Sequence, residues 1–451
     1  MIVLIVGAVA SAGIVSGVVP LGAVSAAPSL PPSSDLTGAG SGPGASTRPS
    51  ATGSPGRSPT PSPVSSPAPP IGPVVAWQPP PVGPASFTSA VSTAELQAAV
   101  AAWLRATGTP GASVTIRWAD GHTWTGVAGF ADLARRVPVR PATAFAAASM
   151  TKTFVAALVL QLAATGRLRL DDPVTRWLDP AVVRAARASA AVSVRMLLDH
   201  TSGLSDFFFG PGVDAALQKE PDRAWSATDA LAFVRKPYFA PGTSYHYSNT
   251  NYLLLGLIAE RVTGRPLATE LRARFLDPLG LTRTWYQAVE SPRAATANGY
   301  RFVGLSRTAA PIDVTDDPSV VPFRSVVTAS GAAGSIASTS ADLVRWATAL
   351  YGGRVLPTGS LAASLAEAPL TAALGATVPY GLGVQVLRIG PFDTIGHGGS
   401  FLGFQGAVRY LPDARVTIAV LTNQSRYDSG VLVRNLLDIA IPLAPRCPVC
   451  G

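Results

Sequence analysis

Ala148-Ser149-Met150-Thr151-Lys152-Thr153-Phe154, continued by an apolar run to Leu162, is the stretch on which the reading of this chain turns. A serine at a helix start with a lysine three residues on puts hydroxyl and amine on one helical face, within hydrogen-bond reach. That is a nucleophile beside a base. The same string also fits an N-capping serine and an ordinary surface lysine, because serine is a favoured cap and lysine a common helix residue. The surrounding chain has to separate the two readings.

Around this stretch the pattern is α+β. Leu96, Val100, Trp103 and Leu104 recur at helical spacing over residues 93–106, with Ser92 or Thr93 as the cap. Residues 112–118 and 123–130 are β-branched and aromatic runs joined through Asp120-Gly121 and His122, a hairpin with His122 solvated in its turn. From 150 to 345 the chain reads as mostly helical, with segments at 192–199, 227–234 and 251–263 and a short helix stopped by Pro180. Thr339 and Asp342 have capping-box spacing ahead of a helix at 343–350. Four strands follow at 380–389, 392–396, 405–410 and 416–422, an antiparallel meander closed by a helix over 429–441. The expected fold is therefore one antiparallel sheet built from both chain ends, flanked by helices, with a mostly helical region inserted. A cleft between sheet and insert is the expected site.

The chain ends differ in texture. Residues 1–26 hold no charged side chain and finish in small residues, which fits either a cleaved signal peptide or an uncleaved membrane anchor; both put the remainder outside the cytoplasm. Residues 27–86 carry 17 of the 41 prolines and only three charges, a Pro/Ser/Gly-rich composition that cannot bury enough apolar surface to order itself. The globular domain is expected over 89–442 and a tail over 443–451. In that tail Cys447 and Cys450 lack two further ligands for zinc and the strand–helix setting of a redox motif. Formal charge is +9, but the arginines are dispersed and not interleaved with aromatics, so nucleic-acid binding has no support.

Two further stretches complete the candidate site. Tyr245-His246-Tyr247-Ser248-Asn249 lies in a loop ahead of the helix at 251, and Ile395-Gly396-His397-Gly398-Gly399-Ser400 sits where a strand ends and a turn begins. With Ser149 and Lys152 these resemble the serine β-lactamase and D-alanyl-D-alanine peptidase superfamily, in its class C-like branch. S-x-x-K matches Ser149 to Lys152, Y-x-N matches Tyr247 to Asn249, and H-x-G matches His397 to Gly399. Leu170-Asp171-Asp172-Pro173, Leu198-Asp199-His200-Thr201-Ser202-Gly203-Leu204 and Phe239-Ala240-Pro241-Gly242 also look like that branch, so the resemblance spans about 89–441. No G-x-S-x-G elbow is present.

The resemblance implies a β-lactamase/transpeptidase-like fold and an acyl-serine mechanism without metal or cofactor. Ser149 would be the nucleophile, Lys152 or Tyr247 its base, Asn249 and His397 substrate contacts, and the N–H groups of Ser149 and Ser400 the oxyanion hole beside a bare Gly398-Gly399 strand. His200 is assigned to bracing the site and His246 to the surface. Histidine at 397 in place of lysine resembles the carboxypeptidases and esterases more than dedicated lactamases, with a charge that depends on pH. The expectation is an exported carboxypeptidase acting on cell-wall peptides. Esterase, weak lactamase and penicillin-recognising sensor are the alternatives.

Overall fold

A computed structural model describes residues 92–302, 310–315, 317 and 319–441. The expected export segment, linker and cysteine tail lie outside the described residues. Helix α1 (Thr93–Thr107) is capped by Ser92, whose hydroxyl accepts the Glu95 N–H, and stops at Gly108 with φ 68°. It leads into the hairpin of β1 (Gly111–Arg117) and β2 (Thr123–Asp132), with the short β3 (Val137–Pro138) outside it. The C-terminal half supplies β4 (Gln385–Ile389), β5 (Phe392–Phe401), β6 (Phe404–Leu411) and β7 (Val416–Thr422) as an antiparallel meander. Strand β7 pairs antiparallel with β1, Ala112 opposite Thr422 and Arg117 opposite Thr417. The sheet therefore runs β3-β2-β1-β7-β6-β5-β4, built from both chain ends.

Strand alternation decides what covers each face. Val114, Ile116, Ile418 and Val420 pack under α1 and the last helix, α5 (Ser429–Ala440), through Leu96, Val100, Leu432 and Leu436. On the opposite face Ser113 and Thr115 bond the Ser340 hydroxyl at 2.9 and 2.8 Å. That face carries the inserted helices: α2 (Thr151–Ala164), α3 (Asn249–Thr263) and α4 (Ser340–Tyr351). Helix α2 is buried from Thr151 through Leu162, as its unbroken apolar run requires. Phe154 stacks on Trp346 of α4 at 3.9 Å between ring centres. Full burial of such a side chain is worth roughly 1.5–3 kcal/mol.

Three local expectations are corrected. A short helix does precede Pro180, the 3-10 turn Val174–Arg176, but it ends before the proline, and Pro180 opens a helix of its own, Pro180–Ala185, because its fixed φ and missing N–H suit a first turn. The strand expected from 380 begins only at Gln385, since the chain turns at Gly383, where any Cβ would lie 2.2 Å from that of Ala156. Strand β5 does not end at Gly396 but continues to Phe401, because β6 supplies a ladder from Ile395 opposite Tyr410 to Phe401 opposite Phe404. Tertiary pairing here overrides the poor strand propensity of glycine. Strand β4 pairs with β5 only over residues 392–396, so among the described residues the edge from His397 to Phe401 carries no strand on its outer side.

Candidate active site

Ser149 lies in a one-turn 3-10 segment, Ala148–Met150, immediately before α2. Met150, not Ser149, occupies the helix N-cap, and no side chain caps it, so the capping reading of Ser149 does not hold. Ala148 has φ 48°, a left-handed conformation that costs a non-glycine residue roughly 1–2 kcal/mol. Close packing against β5 holds the turn: a Cβ on Gly399 would lie 2.3 Å from the Ala147 carbonyl oxygen. Ser149 is half-buried while its neighbours on both sides are buried.

Lys152 is fully buried beneath it. Its Nζ lies 3.2 Å from Ser149 Oγ, 2.8 Å from Asn249 Oδ1 and 2.8 Å from the Ala333 carbonyl oxygen. Burial pushes its pKa from 10.5 down to about 7, with the Asp206 carboxylate opposing part of the shift. The N-terminal end of α2 disfavours ammonium as well. A neutral amine has two hydrogens and one lone pair. With two obligate acceptors on Asn249 and Ala333 taking the hydrogens, the lone pair is left facing Ser149 Oγ.

Asp206 makes Asn249 present its oxygen to Lys152. Asn249 heads α3, two residues earlier than its sequence suggests, and donates both its backbone N–H (3.0 Å) and its Nδ2 (2.8 Å) to Asp206 Oδ2. Asp206 Oδ1 accepts the Phe208 N–H at 3.0 Å. Burial raises the Asp206 pKa, while its backbone hydrogen bonds and Lys152 pull it back. Asp206 is a residue that sequence reasoning misses. It stands two positions past the Leu198–Leu204 stretch, and its signal is the start of a turn, where it caps Phe207–Phe209.

Tyr247 closes the other side of the nucleophile. Its ring lies 4.8 Å from Lys152 Nζ, and its buried hydroxyl faces Ser149 without completing a hydrogen bond of normal geometry. Burial pushes the phenol well above 10, with Ser149 opposing the shift, so Tyr247 is protonated at neutral pH. His200 braces this ring, 4.3 Å away between centres, and its Nδ1 accepts the Ser248 N–H at 3.2 Å. Burial holds His200 neutral. His246 is exposed and bonds the Tyr247 carbonyl through Nδ1.

His397 lies within β5, not at its end, and is 1% exposed. Its Nδ1 is 2.5 Å from the Gly398 carbonyl oxygen, to which it can only donate, so Nε2 accepts from the Tyr380 hydroxyl at 2.8 Å. Burial, with Lys152 nearby, lowers its pKa to about 3. The expected pH-dependent charge is therefore absent near neutrality. Tyr247 is not its hydrogen-bond partner either; their rings stand 6.4 Å apart. Ser149, Tyr247, His397, Gly398, Gly399 and Ser400 line one cleft.

The chain matches the Beta-lactamase family over residues 96–441. It is 31% identical over 327 residues to penicillin-binding protein 4 of Amycolatopsis lactamdurans, covering 70% of this chain and 81% of that one. To penicillin-binding protein 4* of Bacillus subtilis it is 28% identical over 317 residues, 67% of this chain, and it spans 66% of that relative's length. Among solved structures it resembles a D-stereospecific amidohydrolase from Streptomyces at 30% identity and a TM-score of 0.63, covering 78% of this chain and 99% of the other. The chain belongs to the Beta-lactamase family and is a serine hydrolase of the superfamily that includes these penicillin-binding proteins.

Proposed function

We propose that this chain is an exported serine hydrolase that removes the terminal D-alanine from cell-wall peptides through an acyl-Ser149 intermediate. The observation that carries the chemistry is the buried Lys152 amine, 3.2 Å from Ser149 Oγ and 2.8 Å from both Asn249 Oδ1 and the Ala333 carbonyl oxygen, a set that leaves the lone pair of the neutral amine for Ser149. Lys152 takes the hydroxyl proton as Oγ adds to the substrate carbonyl carbon. The backbone N–H groups of Ser149 and Ser400 receive the oxyanion, a contribution typically of several kcal/mol. As the C–N bond breaks, the Tyr247 hydroxyl gives its proton to the leaving nitrogen and recovers one from Lys152. Water then releases the acyl group by the same steps in reverse order.

The names of the relatives, penicillin-binding and D-stereospecific, support a D-configured acyl donor. The uncharged first 26 residues and proline-rich linker support placement in the cell envelope. A second reading, ester or simple amide hydrolysis, is favoured by the neutral His397, which offers no cation to a substrate carboxylate.

Intact-mass analysis and turnover of wild type and Ser149→Ala with a fluorogenic penicillin, a D-Ala-D-Ala peptide and a short-chain aryl ester test the proposal. Release of D-alanine by wild type only is the expected result. Ester turnover without D-alanine release selects the second reading, and stable undischarged acylation points to a sensor. Equal behaviour of the two proteins on all three probes refutes the acyl-serine mechanism.

A further inference from the structure

We propose that a recess between the β1–β2 hairpin and helix α4 binds a phosphate group, free or carried as a phosphodiester on a polymer, at a site separate from the Ser149 cleft. Arg117 and Thr115 of β1, Thr123 and Thr125 of β2 and Arg345 of α4 line it. Register places Arg117 opposite Thr123 and Thr115 opposite Thr125, so these four side chains share the sheet face that α4 covers. Each guanidinium is pinned at a glycine turn. Arg117 Nη1 donates to the Gly121 carbonyl oxygen at 2.9 Å, and Arg345 Nη1 to that of Gly280 at 2.7 Å. Both glycines have positive φ, 91° and 64°, and a Cβ there would lie 3.3 and 3.2 Å from the guanidinium each one holds. Arg117 is only 6% exposed. Two positioned cations therefore share one recess.

Charge and hydroxyls both favour an oxyanion there. Burial lowers the Arg117 pKa; Asp120 raises it, and the nearby charges of Arg345 and Arg354 lower it. Asp342, which acts on Arg345 from α4, is held by the Arg283 N–H at 2.9 Å and the Thr284 hydroxyl at 3.0 Å. Arg117, Arg345 and Arg354 thus outnumber Asp120 and Asp342, and an anion relieves their mutual repulsion. Ser113, Ser340, Thr115 and Thr125 form a chain of hydroxyls with successive spacings of 2.9, 2.8 and 2.9 Å, ending at Thr125 in the recess. Hydroxyl hydrogens rotate to suit their partners, so the chain can turn its donors toward an anion, each bond polarising the next. A carboxylate is satisfied by one guanidinium fork, whereas a phosphate has oxygens enough for two forks and a hydroxyl. The recess shares no residue with the Ser149 cleft. Ladder pairs run from Ala112 through Thr422 and Gln405 to Ser400, and Arg117 lies further along β1, on the order of 15 Å from Ala112 at the usual strand rise. A phosphate held there is a docking contact and takes no part in acyl transfer.

Isothermal titration at constant ionic strength, with chloride as the balancing anion, tests the site using inorganic phosphate and glycerophosphoglycerol, a soluble phosphodiester, as probes. Wild type is compared with Arg345→Met and with Thr123→Glu, which puts a carboxylate at an exposed position and keeps both arginines. Saturable binding to wild type, weakened about tenfold or more in each variant, is expected from loss of a charge-assisted hydrogen bond or from competition for it. Binding of both probes assigns the site to a phosphate polymer, and binding of inorganic phosphate alone assigns it to the free ion. No saturable binding of either probe by wild type overturns the proposal, and so does undiminished binding in either variant. Should Arg345→Met not fold, Thr123→Glu decides, because it removes neither the Gly121 nor the Gly280 contact. The readout involves no turnover, so its result is independent of whether Ser149 forms an acyl-enzyme.

Discussion

Replacing Lys152 by methionine should change how stability depends on pH, in a direction opposite to that of a typical salt-bridged lysine. The folded pKa is about 7 against an ordinary 10.5. Between those values the unfolded chain binds a proton that the folded chain does not, so wild-type stability rises with pH across that window. Below pH 7 both states are protonated and the folded state bears the full penalty; above 10.5 neither is. Each pH step of one between those limits is worth about 1.4 kcal/mol, giving about 5 kcal/mol over the whole window and about 2 kcal/mol between pH 7 and pH 9.

Lys152→Met removes that slope. It also leaves Asn249 Oδ1 and the Ala333 carbonyl without their shared donor, at about 1–3 kcal/mol each, but this cost does not vary with pH. The informative quantity is therefore the difference between the two pH curves, not their offset. Urea unfolding of both proteins at half-unit steps from pH 7 to 9, with m-values checked for equality, measures it. Wild type should gain about 2 kcal/mol relative to the variant across that range. Parallel curves would refute the claim that burial lowers the lysine pKa, and with it the aimed lone pair.

Two further outcomes follow from the same geometry. Asp206→Asn removes the negative charge that opposes the shift of Lys152, so the rising limb of kcat/KM for ester acylation, centred near pH 7 in wild type, should move to lower pH; a limb that stays put or moves to higher pH contradicts the assigned electrostatics. Gly399→Ala would put a Cβ 2.3 Å from the Ala147 carbonyl oxygen, whereas a Cβ on Gly398 would make only ordinary contacts at 3.8 Å, so penicillin acylation should fall about a hundredfold in the first and far less in the second. Equal losses would mean that β5 does not hold the nucleophile turn.

Much of the fold follows from patterns that are local in sequence. Residues 93–106, the Asp120-Gly121 hairpin and the four late strands each announce themselves by period or by turn chemistry, and the pairing of β1 with β7 then joins the two ends. The errors share one cause. Pro180 and the Gly396–Gly399 run have a local preference that points to a stop, yet their neighbours in space carry the chain on, while at Gly383 packing against Ala156 turns a chain that the pattern reads as strand. Only a packed helix or a paired strand, neither visible in a single segment, distinguishes a glycine that ends a strand from one that lets a strand pass close to a nucleophile.

The site divides along the same line. Ser149, Lys152, Tyr247, Asn249 and His397 are legible because they sit at fixed spacing in recognisable stretches, and the structure brings the first four around one another. What no spacing encodes is protonation, because that depends on burial. Sequence alone makes His397 a titrating group and leaves the order of Lys152 and Tyr247 open; desolvation makes His397 and Tyr247 neutral and Lys152 a base near neutral pH. Asp206 and Tyr380 escape notice for a related reason. Each acts through a neighbour from another element: Asp206 through Asn249, Tyr380 through His397. With Nδ1 donating to the Gly398 carbonyl and Nε2 accepting from Tyr380, His397 is a neutral group fixed in one orientation, so what the sequence presents as a switchable charge is a rigid part of the cleft wall beside Ser149.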